Sequence, residues 1–283
     1  MGVAIGALAL AFSLPLYQLV RFSLGNDLYS HIVLIPFVSL YLVWTRRKVL
    51  PPPSAPARPW AIPLLALGTA LLVWRVGLAL AEARLEPANS LVLTTLSFLL
   101  FFSGICCWFV GRQTLRAALF PLTFLVFMVP LPVAMQTALE TFLQHGSADV
   151  AYVIFKLSGM PVYRNGLVFQ LPGFNLEVAP QCSGIHSSVA LFITSVLAAH
   201  LFLRTRWKQA TLALVVIPLA LLRNGFRVFV IGTLCVRIGP EMIDSYIHRH
   251  GGPIFFVLSL IPFVLVLLLL AKSDRPAQSA SRA

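Results

Sequence analysis

Charged residues are scarce in this chain: they make up 11% of its 283 residues, whereas soluble domains typically carry about a quarter. Hydrophobic residues make up 59%, which excludes both a soluble globular protein and an intrinsically disordered one. Cysteine is scarce too, with four residues, so a disulfide-stabilised secreted scaffold is excluded. The composition therefore predicts an integral membrane protein.

Acidic residues are few as well, nine against 21 lysines and arginines, which gives a net charge of +12. In a membrane protein, an excess of basic residues arises because the loops that face the cytoplasm are rich in lysine and arginine. The net charge therefore does not indicate nucleic-acid binding, and we expect no nucleic-acid partner. Metal-binding spacings such as HExxH and CxxC are absent, and the carboxylates are scattered. Although the chain has six histidines, their spacing does not indicate a metal site. We therefore expect neither a metal nor another cofactor.

Long apolar runs predict an all-α polytopic membrane fold with about eight transmembrane helices. The predicted spans are residues 3–20, 31–44, 60–81, 90–110, 117–138, 183–203, 209–235 and 252–271. We expect one transmembrane domain over residues 1–271 and a disordered cytoplasmic tail over residues 272–283. The N-terminus lacks the basic region of a cleavable signal peptide, and none is expected.

Basic residues concentrate in every second gap between the predicted spans. They are Arg46, Arg47, Lys48, Arg58, Arg112, Arg116, Arg204, Arg206, Lys208, Lys272, Arg275 and Arg282. Asp274 is the one acidic residue on that side. The positive-inside rule assigns this side to the cytoplasm. Both termini are therefore predicted to be cytoplasmic, and the protein is predicted to lie in the cytoplasmic (inner) membrane.

The longest outer segment, residues 140–181, changes its periodicity along its length. A partly inserted helix is predicted over residues 149–160. The turn signal Asn165-Gly166 follows, and apolar and polar residues then alternate over 167–171 and 174–178, separated by a Pro-Gly pair. This pattern predicts a small β-hairpin on the outer face.

Ionisable side chains inside the predicted spans are functional candidates, because they are costly in a bilayer. Arg75 and His200 are interpreted as buried hydrogen-bonding or snorkelling groups. Arg223 and Arg227 are four residues apart in the outer half of the seventh span, so they share one helix face. Two guanidinium groups on that face require an anionic partner or a wet cavity.

Cys182 is the strongest nucleophile candidate in the sequence. It follows a proline and precedes small residues that open the sixth span, so it is predicted to lie at a helix N-terminus. The helix dipole and the unpaired N–H groups there favour a thiolate and can receive an oxyanion. The topology brings Arg223 and Arg227, and His248 and His250 before the eighth span, to the same membrane face.

The remaining cysteines have plainer interpretations. Cys106 and Cys107 lie in the middle of a span without charged neighbours and are interpreted as small apolar residues. Cys235, at the outer end of the seventh span, is interpreted as inert or as one half of a disulfide. His186, one turn after Cys182, is a candidate for lining the site.

Several short motifs together resemble the exosortase/archaeosortase family of membrane cysteine transpeptidases. They are VAPQCSGIHS (178–187), NGFR (224–227), GPE (239–241), IH (247–248) with Gly252 after it, and YSHIVLIPFVSLYLVW (29–44). Their order and spacing also agree with the family. The resemblance covers most of the chain.

The resemblance implies a Cys–Arg–His catalytic site. The nucleophile would be Cys182, the arginine Arg227, because it takes the last place of N-x-x-R, and the histidine His248. Arg223 and His250 are the rival positions. The substrate-binding or supporting residues would be Arg223, His186, Glu177, Asn224 and His250. The chain departs from the family at His186, where relatives commonly have arginine, and at Pro253, where an aromatic residue often stands.

The implied activity is that of a membrane-embedded cysteine protease or transpeptidase of the hydrolase class. Such enzymes cleave a C-terminal sorting tail, of the PEP-CTERM type in bacteria, from exported proteins. The tail comprises a short motif, a transmembrane helix and a basic cluster. A thioester would form on the cysteine and pass to an amine or lipid acceptor, or to water, with the active site facing the periplasmic or extracellular side.

Two other functions remain open on the residues alone. One is a membrane lipid-linked transferase whose Arg223/Arg227 pair binds a lipid phosphate. The other is a transporter or scaffold for surface-polymer export, in which the same pair lines a permeation path. The transferase predicts that Cys182→Ser keeps most of the activity, and the transporter predicts substrate flux without a covalent adduct.

Overall fold

The computed structural model describes residues 1–48, 57–81, 85–180, 183–239, 241–242 and 252–274. Helices dominate the described part. They are α1 (Gly2–Ala11), α2 (Ser13–Leu24), α3 (Ile35–Arg46), α4 (Arg58–Leu80), α5 (Pro87–Val110), α6 (Arg112–Ala117), α7 (Leu119–Phe124), α8 (Val133–Leu157), α9 (Ile185–Phe202), α10 (Arg206–Arg237) and α11 (Gly252–Ser273). Short 3₁₀ segments, Asp27–Val33 and Leu125–Met128, precede α3 and follow α7.

The membrane-spanning character follows from helix length and composition. Six helical segments in the described part are long and apolar enough to cross a bilayer, and the number rises to eight when each of two bent helix pairs counts as one span. The prediction of an all-α polytopic membrane protein is confirmed. Which side of the membrane each loop occupies stays a prediction from the positive-inside rule.

Two predicted spans are interrupted. The first consists of α1 and α2, which are bent by 66° where they meet. The predicted continuous helix over residues 117–138 is wrong, because Leu119–Met128 and α8 are separated helices with an angle of 87° between them. Pro130 and Pro132 lie in this break. Proline lacks an N–H donor and disfavours helical geometry at the preceding residue. Two prolines within three residues break the helix here, whereas the single prolines inside α4, α10 and α11 are accommodated.

The chain divides into two compact units, residues 1–136 and 137–283. In the first unit, α4 and α5 pack closely along their lengths, with Ala61 fully buried. Tyr29, which begins the early family-like segment, is 2% exposed, and its hydroxyl donates to Gln136 Oε1 (2.9 Å). In α3, the Ser39 hydroxyl donates to the backbone carbonyl of Pro121 (2.8 Å).

The second unit carries a small antiparallel sheet. Its strands are β1 (Tyr163–Asn165), β2 (Val168–Leu171) and β3 (Phe174–Glu177), in the order β1-β2-β3. The predicted hairpin corresponds to β2 and β3, and β1 adds a third strand through the turn at Gly166, whose φ is +61°. The helix predicted over residues 149–160 is instead the second half of α8, which starts earlier and ends at Leu157.

The sheet packs against α8 and α10 to form one of the hydrophobic clusters of the second unit. Phe155 of α8 and Phe169 of β2 are fully buried, with their ring centroids 5.6 Å apart. The buried core residues are Ala148, Ala151, Phe155, Phe169, Leu171, Leu176, Val178, Val228, Ile231 and Cys235. Cys235 is a free thiol within this core. The sheet is therefore fixed to the same stretch of α10 that carries the candidate arginines.

Helices α8 and α10 approach each other closely at Gly225. A Cβ atom at this position would lie 2.5 Å from Val150 Cγ1 and 3.0 Å from the backbone oxygen of Ser147. Small residues allow transmembrane helix backbones to approach and gain dispersion contacts. Gly225 therefore sets the distance between α8 and the helix that carries Arg223 and Arg227.

The end of α11 is held by Asp274, one residue beyond the helix. Its carboxylate accepts hydrogen bonds from the Thr205 hydroxyl and the Arg204 backbone N–H, and it pairs with Lys208 (3.1 Å). These donors, the Thr205 hydroxyl foremost, hold the pKa of Asp274 well below its usual range. The connection between α9 and α10 is thus tied to the C-terminal helix. Residues 275–283 of the predicted tail lie outside the described residues.

We predict that Gly225→Ala destabilises the protein, because the added methyl group would overlap Val150 and the α8 backbone. Overpacking of this kind costs about 1–3 kcal/mol. The matched control is Gly77→Ala in α4, where a Cβ would meet nothing within 4 Å. Thermal unfolding of both detergent-solubilised variants measures the effect, and equal Tm values for the two would contradict it.

We also predict that Asp274→Asn lowers the Tm at neutral pH. The folded pKa lies below the unfolded value of about 4. The stabilisation from Asp274 is therefore complete above that value and is lost as the pH falls through the depressed folded pKa. The Tm difference between wild type and Asp274→Asn should be largest near pH 7 and shrink below about pH 4. A difference that grew on acidification would contradict this assignment.

Candidate active site

The N-terminus of α9 is built around Gly184. This residue is the N-cap of the helix and has a φ of +71°, a left-handed conformation that residues with a side chain rarely adopt. The preceding Ser183 is 1% exposed, and its backbone N–H donates to the carbonyl of Pro180 (3.0 Å). This hydrogen bond connects the residue before the N-cap of α9 to Pro180. Cys182, which directly precedes Ser183, lies outside the described residues.

Arg223 of α10 binds the first turn of α9. Its Nη2 donates to the Gly184 carbonyl oxygen (3.1 Å) and to Ser188 Oγ (3.2 Å). The same carbonyl accepts the backbone N–H and the hydroxyl of Ser188. Two helices are thus joined by a charge-assisted hydrogen bond within their membrane-spanning parts, where such bonds are only weakly screened.

Gly184 also lies against Asn224. A Cβ atom built on Gly184 would be 2.9 Å from Arg223 Nη2 and 3.1 Å from Asn224 Oδ1. The position therefore requires glycine for two reasons, its left-handed φ and the absence of space for a side chain. The sequence motif alone did not single out Gly184 as a site residue, because its role depends on a contact with a distant helix.

The Arg223 side chain is almost completely buried, at 8% exposure. Its Nη1 atom has no hydrogen-bond partner among the residues that the structure describes. Burying a cation with an unused donor is costly. Arg223 therefore links α9 to α10 through its hydrogen bonds with Gly184 and Ser188.

Arg227 lies one helical turn further along α10 and faces a different neighbour. With Glu177 of β3 and Asn224, it lines a cavity of about 20 Å³. The other lining residues are Leu176, Val178, Val228 and Ile231. A cavity of this size holds about one water molecule. The structure thus brings three predicted site residues, Glu177, Asn224 and Arg227, around one small space.

The end of β3 is fixed by a residue that the sequence did not reveal. Gln144, buried on α8, donates its side-chain amide to the backbone carbonyl of Val178. This bond anchors the strand that carries Glu177 just before the chain turns toward Pro180. The sequence does show an amide side chain inside a long, mostly apolar helix, which indicates that Gln144 needs a hydrogen-bond partner. That the partner is the Val178 carbonyl follows only from the three-dimensional fold.

The other predicted site residues divide into two groups. His186 is exposed on the first turn of α9. His248 and His250 lie outside the described residues, as does Cys182. Among the described residues, no group of three or more His, Cys, Asp and Glu side chains is arranged to hold a metal ion.

The described part of the site provides three kinds of functional group. The first turn of α9 provides backbone N–H groups at the positive end of the helix dipole. Arg227 provides a permanent cation beside a cavity, and Glu177 provides an exposed carboxylate at its rim. Together these groups are suited to a reaction in which negative charge develops on an oxygen atom.

Comparison with protein families agrees with the motifs. The profile of the transmembrane exosortase family matches residues 6–265 of this chain, a range that includes every site residue named above. Searches of the curated proteins and of the solved structures give no match. The chain therefore belongs to the transmembrane exosortases, a family of membrane transpeptidases and proteases of the sorting type.

Proposed function

We propose that this protein cleaves the C-terminal sorting tail of exported proteins through a thioester on Cys182. The observation that carries the proposal is the contact of Gly184 with Arg223 and Asn224 of α10. Cys182 is two residues from Gly184 in the sequence, and consecutive Cα atoms are about 3.8 Å apart. This supports a site in which the cysteine and Arg227 act on the same substrate carbonyl.

The N-terminus of α9 supplies the electrostatic setting for the nucleophile. The backbone N–H groups of the first turn and the dipole of this 18-residue helix favour the thiolate over the thiol. The same groups are available to the tetrahedral oxyanion. Arg227 adds a full positive charge that water cannot screen effectively inside the membrane part of the protein.

The first half of the reaction forms the acyl-enzyme. The Cys182 thiolate attacks the scissile carbonyl carbon, a C–S bond forms, and the oxyanion accepts hydrogen bonds from Arg227 and the α9 backbone. The C–N bond then breaks, and the leaving amine takes a proton from His248. The tail departs, and the exported protein remains on Cys182 as a thioester.

The second half releases the product. An amine acceptor, or water, attacks the thioester carbonyl and gives its proton to His248. The C–S bond breaks and the Cys182 thiolate is restored. Arg223 and His250 are the rivals for the arginine and histidine roles. The link between Arg223 and α9 supports a positioning role for Arg223 and leaves Arg227 as the group beside the cavity.

The sheet supplies a surface for the substrate. β3 is an edge strand, and Glu177 at its end lines the cavity with Arg227. An extended recognition motif would pair with such an edge through main-chain hydrogen bonds. Glu177 would then orient His248 or contact the motif directly. The substrate's transmembrane helix would enter from the bilayer and leave its basic cluster on the cytoplasmic side.

The location follows from the same proposal. The active site would face the periplasmic or extracellular side of the cytoplasmic membrane, where exported proteins arrive. Its partners would be exported proteins that carry a motif, a transmembrane helix and a basic cluster, together with an amine or lipid acceptor. His186, exposed on the first turn of α9, would contact the tail.

Co-expression with an epitope-tagged exported protein of this tail type tests the nucleophile. Wild type should shorten the substrate on a gel, and Cys182→Ala should leave it full length. Cys106→Ala, which alters a buried cysteine in the other compact unit, is the matched control and should process normally. Hydroxylamine, which attacks thioesters, should yield a hydroxamate on the shortened product.

The other two residues should show graded losses. Removing the Arg227 charge should slow processing by about 10²–10³-fold, the usual effect of losing one oxyanion donor, and His248→Ala by about 10²–10⁴-fold. Equal processing of a confirmed substrate by Cys182→Ala and wild type would overturn the proposal. The lipid-phosphate and transport functions of the arginine pair would then take its place.

Arg223→Gln tests the positioning role separately. We expect processing to fall by about 10²-fold, because displacement of the α9 N-terminus by about 1 Å misaligns the reacting groups. Arg75→Gln is the matched control: Arg75 also lies in a spanning helix and donates to a serine hydroxyl, Ser90 Oγ (3.3 Å). Both the Tm and the kcat of Arg223→Gln are measured. A lower Tm with an unchanged kcat would show a merely structural role for Arg223 and would contradict the prediction.

A further inference from the structure

The first compact unit contains an apolar groove far larger than the cavity beside Arg227. Its volume is about 700 Å³, within the range of about 300–1,000 Å³ typical of ligand sites. The groove, named here the α5 groove, is lined by Trp60, Leu64, Leu96, Leu99, Leu100, Ser103, Cys107, Leu115, Arg116, Leu119, Leu122, Thr123 and Val126. All of these residues belong to α4, α5, α6, α7 and the 3₁₀ segment that follows α7.

The α5 groove is long and open. It follows α5 from Leu96 to Cys107, a length of about 16 Å at the helical rise per residue. Three apolar residues on its rim remain more than half exposed: Trp60 at 61%, Leu119 at 54% and Val126 at 52%. Since α4 and α5 are long and apolar enough to cross a bilayer, these exposed apolar side chains leave the groove open to the acyl chains of surrounding lipid.

One end of the α5 groove is positively charged. Arg116 lies in its lining, is exposed, and forms no ion pair with any residue in the described part of the chain. Arg58 begins α4 at the same end, where its guanidinium lies over the Trp108 ring, 5.3 Å from the centroid. The neighbouring Ala57 N–H donates to the Cys107 carbonyl (3.1 Å), which joins the two helix ends.

We propose that the α5 groove binds an anionic phospholipid, with an acyl chain along α5 and the phosphate at Arg116. Guanidinium binds phosphate through paired hydrogen bonds, and no carboxylate lines the groove to compete. Trp60 lines the same groove as Arg116, and tryptophan is favoured at the depth of lipid headgroups. Basic pockets between membrane helices are suited to such headgroups.

Charge complementarity favours a lipid over another helix in this groove. A neutral apolar helix would gain nothing from Arg116, and a helix that ends in basic residues would be repelled by Arg116 and Arg58. A zwitterionic lipid would fill the apolar part equally well but would satisfy the cation less fully. The site is therefore selective in its headgroup, and it involves none of the residues of the proposed active site.

The experiment compares phosphatidylglycerol with phosphatidylcholine on the purified full-length protein in mild detergent. Native mass spectrometry counts the lipid retained, and thermal unfolding measures the stabilisation, since a ligand that binds the folded state raises the Tm. Wild type should retain phosphatidylglycerol in preference to phosphatidylcholine. Arg116→Gln should reduce that preference about fivefold, the factor expected for one arginine at a membrane surface.

Two further variants separate the α5 groove from general surface charge. Ser103→Phe, which fills the groove without altering its charge, should reduce retention of both lipids. Arg206→Gln, at the exposed start of α10, is the matched control and should keep the wild-type preference. Each variant must be monodisperse by gel filtration before its lipid retention is compared with that of wild type.

Three outcomes would overturn the proposal. Equal retention of the two lipids by wild type would show that the headgroup is not selected. An equal loss in Arg206→Gln and Arg116→Gln would assign the effect to surface charge in general. Unchanged retention in Ser103→Phe would show that the groove is filled by something else, such as a segment of the chain itself or another helix. Tail processing by Arg116→Gln is measured in parallel. This measurement distinguishes a failure of the lipid-binding proposal from a failure of the proposed enzymatic function.

Discussion

The candidate site depends on one hydrogen-bonded contact, that between the guanidinium of Arg223 and the Gly184 carbonyl. It fixes where the N-terminus of α9 lies on α10, and so it determines which groups the preceding residues can reach. The cost of burying this cation is partly offset by two acceptors, Gly184 O and Ser188 Oγ. Asn224, packed against the same glycine, then connects this contact to the cavity beside Arg227.

The two arginines of α10 thus have different surroundings although they are one helical turn apart. Arg223 is buried and bonded to α9, whereas Arg227 opens on the cavity with Glu177. Sequence spacing correctly predicts that they share a helix face, because positions four apart lie above one another. Spacing cannot predict which neighbour each one meets, since that depends on how α9 and the sheet pack on α10.

The same distinction explains how much of the fold the sequence predicts. The strands β2 and β3 are recognisable because alternation and the Pro-Gly turn agree, while β1 has three residues and is too short to show a period. The helix break before α8 is missed because hydrophobicity continues through Pro130 and Pro132. Hydropathy reports how favourably residues transfer from water to lipid, and it contains no information on the direction of the helix axis. A hydropathy profile therefore shows one continuous span where the backbone forms two separate helices.

Gly184 has a consequence for how this chain can vary. Its left-handed φ disfavours any residue with a Cβ, and the Arg223 and Asn224 side chains leave no room for one. Relieving the steric overlap by shortening Asn224 would leave the backbone strain, and a residue that tolerates a positive φ would still meet the guanidinium. A substitution at Gly184 therefore meets a backbone constraint and a packing constraint that different parts of the molecule impose, so a change elsewhere that relieves one of them leaves the other in place.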